Sequence, residues 1–193
     1  MNTPNKLTVL RIVLAPLYLL LLMVNFPHHY LVAGLVFGAA ALTDMFDGKI
    51  ARKHNLITNL GKFLDPLADK MLTTAAFLGF LALGRIDVWA LMLILTREFM
   101  VTSVRLLAAK DGNVIAASFA GKLKTVMQFV AIIYMMAALE WHSLASLLPM
   151  LPAEAFTVPL CVGHILVWVS VVFTMISGFE YVWNCRHYFT DAK

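Results

Sequence analysis

Of the eleven acidic residues in the chain, four fall within 26 positions: Asp44, Asp47, Asp65 and Asp69. Asp44 and Asp47 are spaced i,i+3 and Asp65 and Asp69 i,i+4, so on helices each pair shares one face. Four carboxylates gathered in one place repel one another unless a cation sits among them. Oxygen is the only donor type in this set, and no His or Cys stands at metal spacing beside it, so the cation it suits is Mg²⁺ or Mn²⁺ rather than Zn²⁺. Four aspartates match a two-metal site with ions roughly 3.5–4 Å apart, the kind that clamps a phosphoryl group during displacement. Gly48 and Ala51 lie on nearly the same face as the first pair and leave room for a ligand to approach the backbone, while Arg52 adds a forked phosphate donor. The competing reading is a solvated helix end in which the aspartates pair with Lys49, Arg52, Lys53, Lys62 and Lys70. It accounts for any one aspartate, but poorly for four in register with Gly, Ala and Arg.

The elements that must carry these residues follow from composition. The 193 residues are 61% hydrophobic and 13% charged, with a mean hydropathy of +0.83. That much apolar surface cannot be hidden inside a soluble globule of this size, and the same numbers exclude disordered, collagenous, coiled-coil and disulfide-scaffold classes. A spanning helix needs about 20 mainly apolar residues, and six segments come close: 7–25, 30–52, 65–84, 87–108, 118–140 and 158–183. The expected fold is an all-α integral membrane protein of six transmembrane helices, a single domain over 1–193. The first segment follows Thr3-Pro4, an N-cap and N1 pair, and no small-x-small cleavage site follows its leucines, so it reads as a span rather than a signal. The connections near 25–30, 84–87 and 140–157 hold one Lys or Arg, Arg85, which predicts both termini on the cytoplasmic side. The helices carrying the aspartates turn back on each other around 53–62, so they are expected to be antiparallel neighbours with the carboxylates at the cytoplasmic membrane boundary. A pI of 9.2 then reflects attraction to anionic lipid headgroups, with no nucleic-acid partner implied. Cys161 and Cys185 read as reduced packing residues.

Among the remaining polar residues, Arg97 lies deep in an apolar segment and is a functional candidate on that ground, the alternative being a structural pair with Glu98 or an aspartate. Arg105 is eight residues on, roughly on the same face. Lys122 and Lys124 open the next segment, where interfacial snorkelling explains them equally well. Asn5, Thr8 and Arg11 recur every three residues as a polar stripe, for which capping and anchoring are the alternatives. Gly34-x3-Gly38 suggests a close helix-packing face. The six histidines show no ligand spacing, and Tyr181, Trp183 and Tyr188 look like interfacial belt residues.

The run Asp44-x2-Asp47-Gly48-x2-Ala51-Arg52-x8-Gly61-x3-Asp65-x3-Asp69 resembles, at all eight fixed positions, the signature of the CDP-alcohol phosphatidyltransferase family. The resemblance implies six transmembrane helices, two divalent cations at the cytoplasmic interface and a CDP-linked donor; family members are often dimers, which implies a homodimer here. It assigns metal binding to Asp44, Asp47 and Asp65, metal binding plus the general-base role to Asp69, and contact with the CDP group to Gly48, Ala51 and Arg52. Asn5 and Thr8 would lie near the nucleotide. Looser motifs extend the likeness over nearly the whole chain: Pro4-Asn5-Lys6-Leu7-Thr8-Val9-Leu10-Arg11, Gly61 to Lys70, Arg97-Glu98-Phe99 and Gly121-Lys122-Leu123-Lys124-Thr125. These are similar to the bacterial branch that joins CDP-diacylglycerol to sn-glycerol 3-phosphate, implying a multi-pass protein of the bacterial cytoplasmic membrane. An acceptor with two negative charges calls for a second basic cluster, for which Arg97, Arg105, Lys122 and Lys124 are the candidates. No Gly-x-Ser-x-Gly or activated Cys is present, which favours direct displacement over a covalent intermediate. The alternatives are a sister enzyme with another acceptor, such as inositol phosphate, and a divalent-cation transporter; against the latter, the aspartates cluster at one boundary with no acidic continuation across the membrane.

These roles separate Asp69 from Asp44. Asp69→Asn keeps an oxygen that coordinates weakly but cannot accept the acceptor's proton, so it should still bind CDP-diacylglycerol while transfer slows by about 10²–10⁴-fold. Asp44→Asn should lose metal and donor binding together. Donor binding and turnover measured on the same preparations decide; equal loss of donor binding in both variants would leave Asp69 as a metal ligand only.

Overall fold

The computed structural model describes residues 3–54, 59–110, 118–145, 152 and 154–186; the side chains of 3–5, 44–54, 59–63, 65, 66, 69, 106, 107, 109, 110, 145 and 156 lie outside that description. The described residues form six α-helices and no strand: α1 (Thr3–Met23), α2 (His29–His54), α3 (Asn59–Ala82), α4 (Val88–Lys110), α5 (Phe119–Ala145) and α6 (Glu154–Asn184). Each overlaps one expected segment. The largest difference is at α3, which starts six residues early because the helix continues through a polar turn that the apolar pattern does not mark. Three stretches, Lys6–Met23, Phe119–Leu144 and Thr157–Asn184, are long and apolar enough to cross a membrane, and His29–Thr43 and Lys70–Ala82 are shorter apolar stretches. The apolar run of α4 is interrupted by Arg97, Glu98 and Arg105.

Helix ends are set by local chemistry. Gly84 takes a left-handed conformation (φ 66°) after α3. Its N–H bonds to the Leu81 carbonyl at 2.9 Å, and that of Arg85 to Phe80 at 2.8 Å. This paired closure satisfies carbonyls the helix would otherwise leave bare, and glycine adopts the required φ without strain. Ser118 caps α5, its hydroxyl accepting the Gly121 N–H at 3.1 Å. The start of α2 is capped from another helix: Glu140 of α5 accepts the Leu31 N–H at 3.1 Å and holds His28 at 2.6 Å.

Contacts between helices fix their directions. Phe37 meets Phe129 while His28 meets Glu140, so α2 and α5 are antiparallel. Gln128 meets Thr174 and Trp141 donates to the Ala155 carbonyl, so α5 and α6 are antiparallel. His164 reaches the Arg85 carbonyl, Arg97 reaches Ser177 and Arg105 reaches Tyr181, so α4 and α6 are parallel. The bundle therefore has two ends, one marked by Glu140 and the other by Arg97. The most extensive interface is α5 on α6. Helix α1 packs on both α2 and α3, which touch each other only slightly. The core these helices share includes Ala15, Tyr18 and Leu22 of α1.

Packing is apolar where α1, α2, α3 and α5 meet, around Tyr18, Phe37, Phe77, Phe80 and Ile132. Large apolar side chains on the outer faces remain exposed, Leu35, Trp89 and Phe179 among them, as expected where lipid is the solvent. The glycine pair expected to mark a close crossing does not do so. A Cβ on Gly34 would meet Met136 at an ordinary 3.7 Å, and one on Gly38 would meet nothing within 4 Å. The tight approaches are at Gly79 against Leu22, at Gly163, 3.0 Å from Met135, and at Gly178, 2.8 Å from the Arg97 stem. Between α5 and α6 runs a polar seam in which the Gln128 amide donates to Thr174 at 3.3 Å and the Thr174 hydroxyl donates to the Ser170 carbonyl at 2.6 Å. Interhelical hydrogen bonds of this kind average about 0.6 kcal/mol and reach at most about 1.7, whereas removing a buried phenyl ring costs about 3–5 kcal/mol. Phe80→Ala should therefore lower the apparent melting temperature in detergent micelles far more than Thr174→Val. Equal losses would show that the seam, rather than the apolar packing, holds the bundle.

Candidate functional site

At the Arg97 end of the bundle, polar contacts around Glu98 and Arg97 tie four helices together. Glu98 of α4 pairs with Lys124 of α5 and, more loosely at 3.4 Å, with its neighbour Arg97. Its backbone carbonyl accepts a hydrogen bond from Lys70 of α3 at 3.0 Å and one from Thr102 at 2.7 Å, and Lys70 also bonds to the Thr102 hydroxyl. Helix α6 closes the fourth side, where Arg97 Nη2 donates to Ser177 Oγ at 2.7 Å. Arg97, Lys124 and Ser177 are buried. A lone cation in such a place is costly unless paired, and among the described residues Glu98 supplies one negative charge for Arg97 and Lys124 together. The Nε of Arg97 is buried with no hydrogen-bond partner among the described residues. Two cations sharing one carboxylate, with a guanidinium N–H left over, can accept a further anion.

Arg105 lies two turns along α4, its Nε 3.3 Å from the Tyr181 hydroxyl and its guanidinium 5.5 Å from the centre of the Tyr181 ring. Tyr181 is 4% exposed, so it is an interior residue facing α4 rather than the belt residue its position near the helix end suggests. The sequence-derived acceptor residues thus divide. Arg97 and Lys124 come together around Glu98, Arg105 stands beside them on α4, and Lys122 is exposed. Residue-type reasoning missed Lys70, Ser177 and Tyr181. A signal for the last two is present: Ser170, Thr174, Ser177 and Tyr181 run i, i+4, i+7, i+11 along an otherwise apolar α6, one polar line on a single face.

The metal and donor residues are placed by their helices. Asp44, Asp47, Gly48, Ala51 and Arg52 fall on α2, and Asp65 and Asp69 on α3; the side chains of all seven, and that of Asn5, lie outside the described residues. Lys70, the residue after Asp69, is what joins this part of α3 to the cation cluster. On α1, Thr8 and Arg11 are 1% and 2% exposed, so the polar stripe expected there is turned into the bundle, where a span would otherwise carry apolar side chains. Tyr188, like the 146–151 part of the connection between α5 and α6, lies outside the described residues.

A family model described as CDP-alcohol phosphatidyltransferase matches residues 1–176, and the chain belongs to that family. It is 38% identical over 192 residues to the CDP-diacylglycerol–glycerol-3-phosphate 3-phosphatidyltransferase of Bacillus subtilis, covering 93% of each chain. A protein of the same name from Rickettsia bellii is 34% identical over 188 residues, covering 97% of each. A probable phosphatidylglycerophosphate synthase of Mycobacterium tuberculosis is 40% identical over 185 residues, covering 94% of this chain and 80% of that one.

The Glu98 cluster makes a direct stability prediction. Removing one partner of a buried ion pair costs about 3–5 kcal/mol, because the other charge is left without compensation. Glu98→Gln should lower the apparent melting temperature accordingly, since it leaves Arg97 and Lys124 without their anion, whereas Lys124→Met leaves the Arg97–Glu98 pair and should cost far less. If Lys124→Met is as unstable as Glu98→Gln, Arg97 does not compensate Glu98.

Proposed function

We propose that this chain transfers the phosphatidyl group of CDP-diacylglycerol to sn-glycerol 3-phosphate, giving phosphatidylglycerophosphate and CMP. The observation that carries this reading is the buried Arg97–Glu98–Lys124 cluster, tied through Lys70 to the helix that bears Asp65 and Asp69. A phosphate-monoester dianion needs such cations, and the relatives' names supply the reaction. In this reading Arg97, Arg105 and Lys124 hold the acceptor's phosphate, with Lys122 at the entrance. Asp44, Asp47 and Asp65, with Asp69 shared, hold two Mg²⁺ or Mn²⁺ ions, which the all-oxygen donor set suits. Bound divalent ions would neutralise charge on the donor's pyrophosphate. Gly48, Ala51 and Arg52 receive the CDP group, with Asn5 and Thr8 beside the nucleotide; the burial of Thr8 and Arg11 supports that placement.

The acceptor's primary hydroxyl oxygen attacks the phosphorus that bears diacylglycerol. Its proton passes to the Asp69 carboxylate, and the bond from that phosphorus to the CMP oxygen breaks, so CMP leaves. The chain is one membrane domain of six spans with both termini cytoplasmic, in the bacterial cytoplasmic membrane. The segregation of connections 24–28 and 83–87 at the Glu140 end, away from most Lys and Arg, supports this orientation.

The test is the purified protein in mixed micelles with CDP-diacylglycerol, offered sn-glycerol 3-phosphate, inositol phosphate, serine or a second lipid. CMP release and a phosphatidylglycerophosphate product are expected with the first acceptor alone, abolished by excess EDTA and restored by Mg²⁺ or Mn²⁺. A lipid product with another acceptor would assign the chain to a sister activity, and full turnover in excess EDTA would overturn the metal reading.

A further inference from the structure

Helices α4 and α6 run parallel, yet their polar contacts are not evenly spaced. Arg97 and Arg105 are eight residues apart on α4, about 12 Å along the axis, while their partners Ser177 and Tyr181 are four apart on α6, about 6 Å. The anchoring residues on α6 are thus about half as far apart along their helix as the arginines are along theirs. Each arginine head meets contacts of the kind that fix a guanidinium. The Ser177 hydroxyl accepts from Arg97 Nη2 at 2.7 Å, a buried bond. The Tyr181 hydroxyl faces Arg105 Nε at 3.3 Å, with the Tyr181 ring 5.5 Å from the guanidinium.

The backbone between these anchors is shaped to the same end. A Cβ on Gly178 would come within 2.8 Å of Arg97 Cγ, so α6 can lie against the arginine stem only because that residue is glycine. From the α5 side, a Cβ on Gly121 would meet Ser177 Oγ at 3.6 Å and Arg97 Nη2 at 3.9 Å. Gly178 thus admits the Arg97 stem, and the Ser177 hydroxyl fixes its head.

We propose that Ser177 and Tyr181 are positioning residues for acceptor selection: they hold the guanidinium groups of Arg97 and Arg105 at the separation that grips a phosphate-monoester dianion. The proposal rests on the reading of these arginines as acceptor-binding. Neither α6 residue touches the acceptor. Each sets where an arginine head stands.

Steady-state kinetics on the full-length enzyme in mixed micelles, with each substrate varied in turn, test this. Arg97→Ala should raise KM for glycerol 3-phosphate by about ten- to a hundredfold, and Ser177→Ala and Tyr181→Phe by about tenfold, the scale of one hydrogen bond to a charged group. KM for CDP-diacylglycerol should move less than about twofold in all three. Ser177→Thr, which restores a hydroxyl, should recover acceptor affinity, and Arg97→Ala/Ser177→Ala should be no worse than Arg97→Ala, because Ser177 acts through that arginine. If Arg97→Ala weakens the acceptor while Ser177→Ala and Tyr181→Phe do not, the positioning proposal fails and the acceptor-site reading stands. Equal rises in both KM values for the α6 variants, or additive losses in the double variant, also overturn it. If Arg97→Ala leaves acceptor affinity unchanged, both fail together.

Discussion

Buried cations must be neutralised where they stand, and in this bundle Arg97 and Lys124 meet that requirement at Glu98. Glu98 lies on α4; its carboxylate pairs with Lys124 of α5 and with Arg97 of its own helix, and its backbone carbonyl accepts from Lys70 of α3. Helix α6 is then bound to the same group through Arg97. Remove the anion and Lys124 and Arg97 become two like charges in a medium that solvates neither. Because charge cannot be left uncompensated there, the packing of these four helices at the Arg97 end is fixed in register as well as in proximity. Apolar packing elsewhere in the bundle is less exacting, since a leucine may slide against another at little cost.

This division also explains what the sequence reveals. The number of helices and their approximate limits follow from long apolar runs, and the aspartate-rich segment is legible because four carboxylates in so apolar a chain demand a reason. Partners across helices are a different matter. Nothing in a one-dimensional pattern says that Lys124 belongs to Glu98 or Ser177 to Arg97; these pairs are separated by 26 and 80 positions, and only the packing order decides them. Tyr181 illustrates the difficulty. An aromatic near a helix end in a membrane protein has a ready explanation as a belt residue, and only its burial against Arg105 displaces that explanation. Gly34 and Gly38 fail in the opposite direction, since small residues permit a close approach without requiring one. The aspartates are legible from residue type and spacing alone, their side chains lying outside the described residues.

Helix α1 packs on both α2 and α3, the two helices that carry the signature aspartates. Its own buried polar residues, Thr8 and Arg11, mean that the first span contributes more than hydrophobic length. Buried cations thus occur on α1, α4 and α5.

The parallel pairing of α4 with α6 has a consequence for how the chain comes into being. Arg97 is made with the fourth helix, but the Ser177 hydroxyl and the Gly178 backbone that receive it belong to the sixth. During synthesis the arginine must wait, carried in an incomplete bundle, until α6 is made. Until then its guanidinium lacks the hydroxyl that fixes it. The fold thus has a built-in mark of completion, set by the order in which its helices are made.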